Sequence, residues 1–340
     1  MNKHSIQEWL KLSDRTKIYI FTETSTKTGL PAIAIEKDWW VVKTLEVIFN
    51  TEIADHTVFK GGTSLSKAWG LIERFSEDID LALDRKFLGF DQEMTTSQVK
   101  KLRKDSFRFI SEKYYPALEQ AFHEYGLRDV KLELADTTAN DQDPLIIIVH
   151  YTGLIEKSEY IQSRILIEIG SRSLREPFTV MHFRTLVGEH FPGKPFTDNL
   201  ISIPTVNPER TFLEKIFLLH EEFQKPNNKI KVNRLSRHLY DVEKMMDTKY
   251  ARKALSGKTL YQHIVEHRRT ITPIRGINYE NHNSDKINPI PPESIWNDWK
   301  QDYNKMQRNM IYGDSLSFNE LIDRIRQLKE KINNLPLTHD

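Results

Sequence analysis

The stretch FKGGTSLSKAWGLIERFSEDIDLAL, residues 59–83, constrains this 340-residue chain more than any other. A short apolar run ends in Gly61 and Gly62, and Leu65, Trp69 and Ile72 follow at helical spacing, which predicts a strand, a tight turn and a helix. Adjacent glycines let the backbone turn sharply and approach a ligand closely. A helix starting just after them offers unpaired N–H groups and its positive dipole end to phosphate. Next, DIDLAL, residues 78–83, alternates polar and apolar as a half-buried strand does. Asp78 and Asp80 lie two apart on it, so both carboxylates point to one face. Like charges so placed repel unless a cation lies between them. A glycine turn followed by such a pair suits a magnesium–triphosphate complex.

Around this stretch the pattern is mixed. Residues 35–50, IEKDWWVVKTLEVIFN, read as a helix with Asp38 as cap and Val41, Val42, Leu45 and Ile48 inward. Further strands are expected at 131–134, 145–151 and 164–169, and a long polar helix at 100–126. From Asn207 the pattern turns helical. NPERTFLEKIFLLHEEF carries Asn207 as cap, Pro208 at the first helical position and Phe212, Ile216 and Leu219 as an apolar stripe. Helices follow from about residue 233, over TLYQHIVEHRRT, and after Ser317, where SFNE makes a capping box; residues 272–292 read as a long loop. The expected architecture is α+β: a mixed-sheet core over residues 1–200 with N-terminal helices, then a mainly helical domain over 201–340.

The GG[T/S]…DxD pattern resembles the DNA polymerase β-type nucleotidyltransferase superfamily. EKDWW, FKGGTSLSK, RFSEDIDL, ERTFLEKIF, RHLYD and MQRNMIYGDSLSFNELI together resemble the AbiEii/AbiGii nucleotidyltransferase toxin family across most of the chain. Two features depart from the pattern: fifteen residues separate Gly62 from Asp78, and His238 stands where an acidic residue is common. The resemblance implies a polymerase β-like core in which Gly61, Gly62, Thr63 and Ser64 hold the triphosphate, Asp78 and Asp80 bind Mg2+ or Mn2+, and Lys215 and Asp241 have functional roles. It also implies an NTP substrate, a cognate antitoxin, membership of a toxin–antitoxin or phage-defence module, and a tRNA 3′ end as acceptor. A third carboxylate completes the superfamily metal site. Strand phase nominates Glu168, with Leu166 on its face and Ile165, Ile167 and Ile169 on the other. Open alternatives are a same-fold enzyme modifying a small molecule or protein, and a non-catalytic nucleotide- or partner-binding module.

Lys215 lies between Phe212, Ile216 and Leu219 on an inward stripe, where an ammonium needs an anion: the triphosphate or Asp241. Arg234, Arg237, His238 and Asp241 share one face of the following helix, and Arg237 is a second cation for the nucleotide. Lys225, Lys229, Lys231, Arg234 and Arg237 form a basic cluster suited to an RNA backbone. His263 and His267 stand at i, i+4, but the Glu of HExxH is missing, which argues against a metalloprotease. With 49 Lys+Arg against 48 Asp+Glu, nothing global marks a polyanion binder, so such a partner needs a local patch. Zero cysteines exclude disulfides and thiol chemistry and fit a reducing compartment. The first residues lack an apolar signal region and no spanning stretch occurs. The expectation is a cytoplasmic chain without membrane partners.

Overall fold

A computed structural model describes residues 4–76, 78–90, 93–156, 161–197 and 200–335. The chain divides into two units, residues 1–68 with 75–205, and residues 69–74 with 206–340.

The first unit opens with three helices, α1 (His4–Leu10), α2 (Asp14–Thr28) and α3 (Ala32–Ile48). α2 is closed at both ends by its own sequence. Ser13 Oγ accepts from Thr16 N, and Gly29, at φ +75°, donates its N–H to Ser25 O. α3 starts earlier than its charge pattern suggests, at Pro31 rather than Asp38. Asp38 does not cap it because its carboxylate is engaged elsewhere, by Lys67 Nζ at 2.7 Å and Leu186 N at 2.7 Å. Val42, Leu45 and Ile48 of α3 are fully buried, each worth roughly 1.5–3 kcal/mol on removal from water.

Seven strands form one mixed sheet: β1 (Thr57–Lys60), β2 (Ile79–Leu83), β3 (Lys131–Leu134), β4 (Leu145–His150), β5 (Arg164–Gly170), β6 (Phe178–Phe183) and β7 (Ile201–Val206). Their order is β3-β4-β5-β2-β1-β7-β6. β1 runs antiparallel to β2 and parallel to β7, and β2 runs parallel to β5. β6 and β7 are additions to the expected set. β6 is exposed over most of its length and β7 contains Pro204, so neither shows the usual strand signal. The single turn α4 (Gly61–Thr63) follows β1, and α5 (Thr96–Phe109), α6 (Tyr115–Glu124) and α7 (Leu186–His190) complete the unit. A π-helical turn, Ile110–Tyr114, joins α5 to α6 where one long helix is expected.

The helix expected after the glycines is much shorter than its pattern. α4 passes into a π turn, Ser64–Ala68, and the chain leaves helical geometry at Gly70, φ +60°. Residues 69–74 belong to the second unit. There Trp69 Nε1 donates to Val206 O, and Arg74 bridges Ile311 as an isolated antiparallel pair.

The second unit is helical: α8 (Pro208–Phe223), α9 (Ser236–Met245), α10 (Lys249–Ser256), α11 (Lys258–Thr270), α12 (Trp296–Asn309) and α13 (Phe318–Asn333). α8 is its centre, touched by α9, α10 and α11, with Phe212, Leu213, Ile216, Phe217 and Leu219 essentially without solvent. α13 carries the expected capping box, Ser317 with Glu320. Among the described residues no helix is long and apolar enough to cross a membrane.

Candidate active site

In the first unit, β1 delivers the chain into α4 at Gly61, which takes φ +80°, a left-handed conformation natural to glycine. Close approach adds a second requirement. A Cβ at Gly61 would lie 1.8 Å from Asp80 Oδ2 and 2.7 Å from its Cγ, so the glycine backbone sits directly against the Asp80 carboxylate. β1 and β2 pair Lys60 with Asp80, which fixes the turn at that point of the sheet. The hydroxyls of the turn point into the protein. Thr63 Oγ1 donates to Asp78 O at 2.5 Å and lies 2.9 Å from Ser76 Oγ, while Ser64 Oγ donates to Gly61 O at 2.9 Å. Thr63 therefore ties the turn to the backbone beside Asp78, and the side chains of Thr63 and Ser64 are spent on holding the loop.

Parallel pairing of β2 with β5 sets Asp80 beside Glu168 in register. Directly paired residues share a face. The phase comes from burial: Ile165, Ile167 and Ile169 are completely buried on one side of β5, leaving Leu166 and Glu168 half-buried on the other. Asp78 and Asp80 are also half-buried. Hard carboxylate oxygens are the donors that Mg2+ and Mn2+ take. Among the described residues no three His, Asp or Glu side chains converge as a ready-made metal cage.

Lys67, on the π turn after α4, pairs with Asp38 of α3 at 2.7 Å, both nearly buried. Sequence reading cast Asp38 as a helix cap and gave Lys67 no role; the pair links EKDWW to FKGGTSLSK.

The second unit holds a different cluster. Asp241 on α9 is fully buried and accepts from Arg74 Nε at 2.6 Å, Arg74 Nη2 at 2.8 Å and Lys215 Nζ at 2.8 Å. Lys215 Nζ also lies 3.4 Å from His238 Nδ1. Of the two anions open to Lys215 from sequence, Asp241 is the one it meets. Burial would raise the Asp241 carboxyl, but Arg74 and Lys215 outweigh it and hold it well below the usual carboxylate range. Two cations share this one anion, with unequal results. Burial, helped by the charge of Arg74, lowers Lys215 despite Asp241, whereas the bidentate contact raises Arg74 against its own desolvation. Burial and the charges of Lys215 and Arg237 keep His238 neutral, well below its ordinary value. The cluster thus carries positive charge in excess, and half-buried Arg237 adds to it. Arg74 escaped sequence reading because LIERF reads as helix; an Arg between Ile72 and Phe75 is the only hint.

Of the basic cluster, Lys225 pairs with Glu222 at 2.5 Å, while Lys229 and Lys231 are exposed. Arg234 adopts φ +62°, held by Asp302, which accepts from Arg234 N at 2.7 Å and from Ser236 N at 3.1 Å at the start of α9. His263 is exposed and His267 half-buried on α11; among the described residues neither belongs to a metal-ligand group.

Residues 44–324 match the family model described as nucleotidyl transferase AbiEii toxin, type IV toxin–antitoxin system. Among solved structures, the chain is similar to MenT4, a nucleotidyltransferase toxin from Mycobacterium tuberculosis H37Rv. TM-score is 0.53 and identity 17%, over 95% of this chain and 90% of that one. A second structure, JHP933 from Helicobacter pylori, aligns with TM-score 0.39 and 14% identity over 86% of this chain and 89% of that one. A search of curated proteins gives no significant match.

Proposed function

Since the chain belongs to the AbiEii nucleotidyltransferase toxin family of type IV toxin–antitoxin systems, we propose that it moves a nucleoside monophosphate from an NTP onto an acceptor hydroxyl, releasing pyrophosphate. One observation carries the reading: the left-handed Gly61 turn lies against the Asp80 carboxylate, and Asp80 stands in register with Glu168.

In this reading the backbone N–H groups of Gly61 to Ser64 receive the triphosphate, since the hydroxyls of Thr63 and Ser64 are bound internally. Asp78 and Asp80 would hold Mg2+ or Mn2+, hard cations that take carboxylate oxygens. The ion supplies charge stabilisation and lowers the pKa of the attacking hydroxyl. Glu168, on the same face, assists in holding it or takes the acceptor's proton. Asp241 holds Lys215 in place, and Lys215, Arg237 and Asp241 count among the functional residues as the positively charged cluster of the second unit. A neutral His238 does not compete for Asp241.

The proposed acceptor is the 3′ end of tRNA, with exposed Lys229 and Lys231 contributing a salt-sensitive hold on the RNA backbone. The proposed setting is the cytoplasm, in a toxin–antitoxin or phage-defence module with a cognate antitoxin. Incubating the purified chain with each α-labelled NTP, Mg2+ and either total RNA, protein or metabolites tests the reading. Label entering RNA at tRNA termini supports it; label in protein or metabolites redirects the acceptor, and no label in any fraction overturns the activity.

A further inference from the structure

The first unit contains a second opening that shares no residue with the glycine turn or the carboxylates. A cavity of about 200 Å3 lies among α1, α2, α3 and the loops before β3 and after β4, walled by Trp9, Phe21, Trp39, Trp40 and Glu36. Its rings are fixed by each other. Trp9 stacks on Trp39 with centroids 5.1 Å apart, Trp39 meets Trp40 edge-on at 5.0 Å, and Trp40 stacks on Tyr151 at 4.7 Å. Aromatic walls locked in this way cannot collapse inward to fill the space.

Glu36 gives the cavity its chemistry. It is 1% exposed, and its oxygens accept from Leu154 N at 2.7 Å and Ile155 N at 3.3 Å, which aim the carboxyl. Among the described residues no Lys, Arg or His pairs with it. Buried carboxylates are normally paired, because desolvating an isolated anion is costly. Burial accordingly holds the Glu36 carboxyl above its usual range. The lining also carries Asp14, Lys17, Arg128 and Asp129, two acids and two bases, with Lys17 3.6 Å from Asp14, so Glu36 leaves the lining one negative charge in excess.

We propose that this cavity binds a small organic cation, an ammonium or amidinium on a short apolar or flat body, with Glu36 and the tryptophan rings as its recognition elements. The ring quadrupole attracts cations, and a carboxylate beside desolvated rings strengthens that attraction. Its volume falls below the roughly 300–1,000 Å3 of drug-sized sites, which limits the occupant to fragment size. The site is independent of nucleotide transfer.

The test uses the full chain and two matched probe pairs: benzamidinium against benzamide, and phenethylammonium against 2-phenylethanol, followed by tryptophan fluorescence and calorimetry. The cations should bind saturably and on the order of tenfold more tightly than their neutral partners. Glu36→Gln, which removes the charge and keeps one acceptor oxygen for Leu154 N, the shorter of the two bonds, should bring each pair to within about twofold. Equal affinity within the pairs in the unaltered protein, or no saturable binding of either cation below about 10 mM, would overturn the proposal whether or not the variant folds.

Discussion

Gly61→Ala isolates the relation between the phosphate turn and the carboxylate site. Two penalties combine there. An L-residue at φ +80° costs roughly 1–2 kcal/mol, and the new Cβ would meet Asp80 Oδ2 at 1.8 Å. Relief requires Asp80 to leave its rotamer or β1 to shift, adding about 1–3 kcal/mol by analogy with overpacking. Gly29 supplies an internal control: it has φ +75°, with nothing within 4 Å of a built Cβ. Gly29→Ala should therefore cost only the backbone penalty, about 1–2 kcal/mol, whereas Gly61→Ala should cost about 2–5 kcal/mol. Urea unfolding of both variants beside the unaltered chain measures the difference, and nucleotide transfer in the same preparations reads the displacement of Asp80. Gly61→Ala should lose transfer by about 10² or more, while Gly29→Ala keeps it. Equal destabilisation of the two variants, with transfer intact in both, would refute the claim that the turn and Asp80 form one site.

Asp241→Asn leaves Arg74 and Lys215 buried against a neutral amide and should cost about 3–5 kcal/mol in denaturant unfolding. Lys215→Met leaves the bidentate Arg74 contact, so its stability should fall by no more than about 2 kcal/mol while transfer drops about 10² to 10⁴; unchanged transfer would remove Lys215 from the functional set. Acid should weaken the second unit in two stages. Burial, reinforced by His282, depresses His220 to about 4, so its contribution is complete above 6.5 and lost as pH falls toward 4, a change of about 3 kcal/mol. Although burial alone would raise Glu221, hydrogen bonds from Arg268 and His282 bring it down to about 2, so its contribution is complete above 4.5 and fades below that. Unfolding curves at pH 7.5, 5.5 and 4 should show the first stage, and His220→Asn should flatten it.

The legible parts of the sequence were those with short-range causes. The carboxylate face followed from strand period: Asp80 and Glu168 pair in register because the isoleucines of β5 bury the opposite face. The Ser317–Glu320 box and the Asn207–Pro208 start were equally local. What stayed hidden depended on residues far apart in the chain. Asp38 has the look of a cap until Lys67 claims it, and Arg74 has the look of a helical surface residue until Asp241, 167 positions away, does so. β7 was masked by Pro204; α10 is punctuated by Thr248 and Gly257 but spans only 8 residues, too few for its period to stand out, and α12 begins after Ile295 without a side-chain cap. The cavity beside Glu36 needs three helices and two loops at once, and no spacing rule reports that.

The most direct test of the central claim compares the unaltered chain with Asp80→Asn and Asp78→Asn in transfer of labelled NMP to RNA across a Mg2+ titration. Asparagine keeps the volume and hydrogen-bonding shape but removes the charge that holds a hard cation. The account predicts that both variants keep the unfolding free energy of the unaltered chain within about 1 kcal/mol while losing transfer at every Mg2+ concentration. Transfer at the unaltered rate in either variant would contradict it.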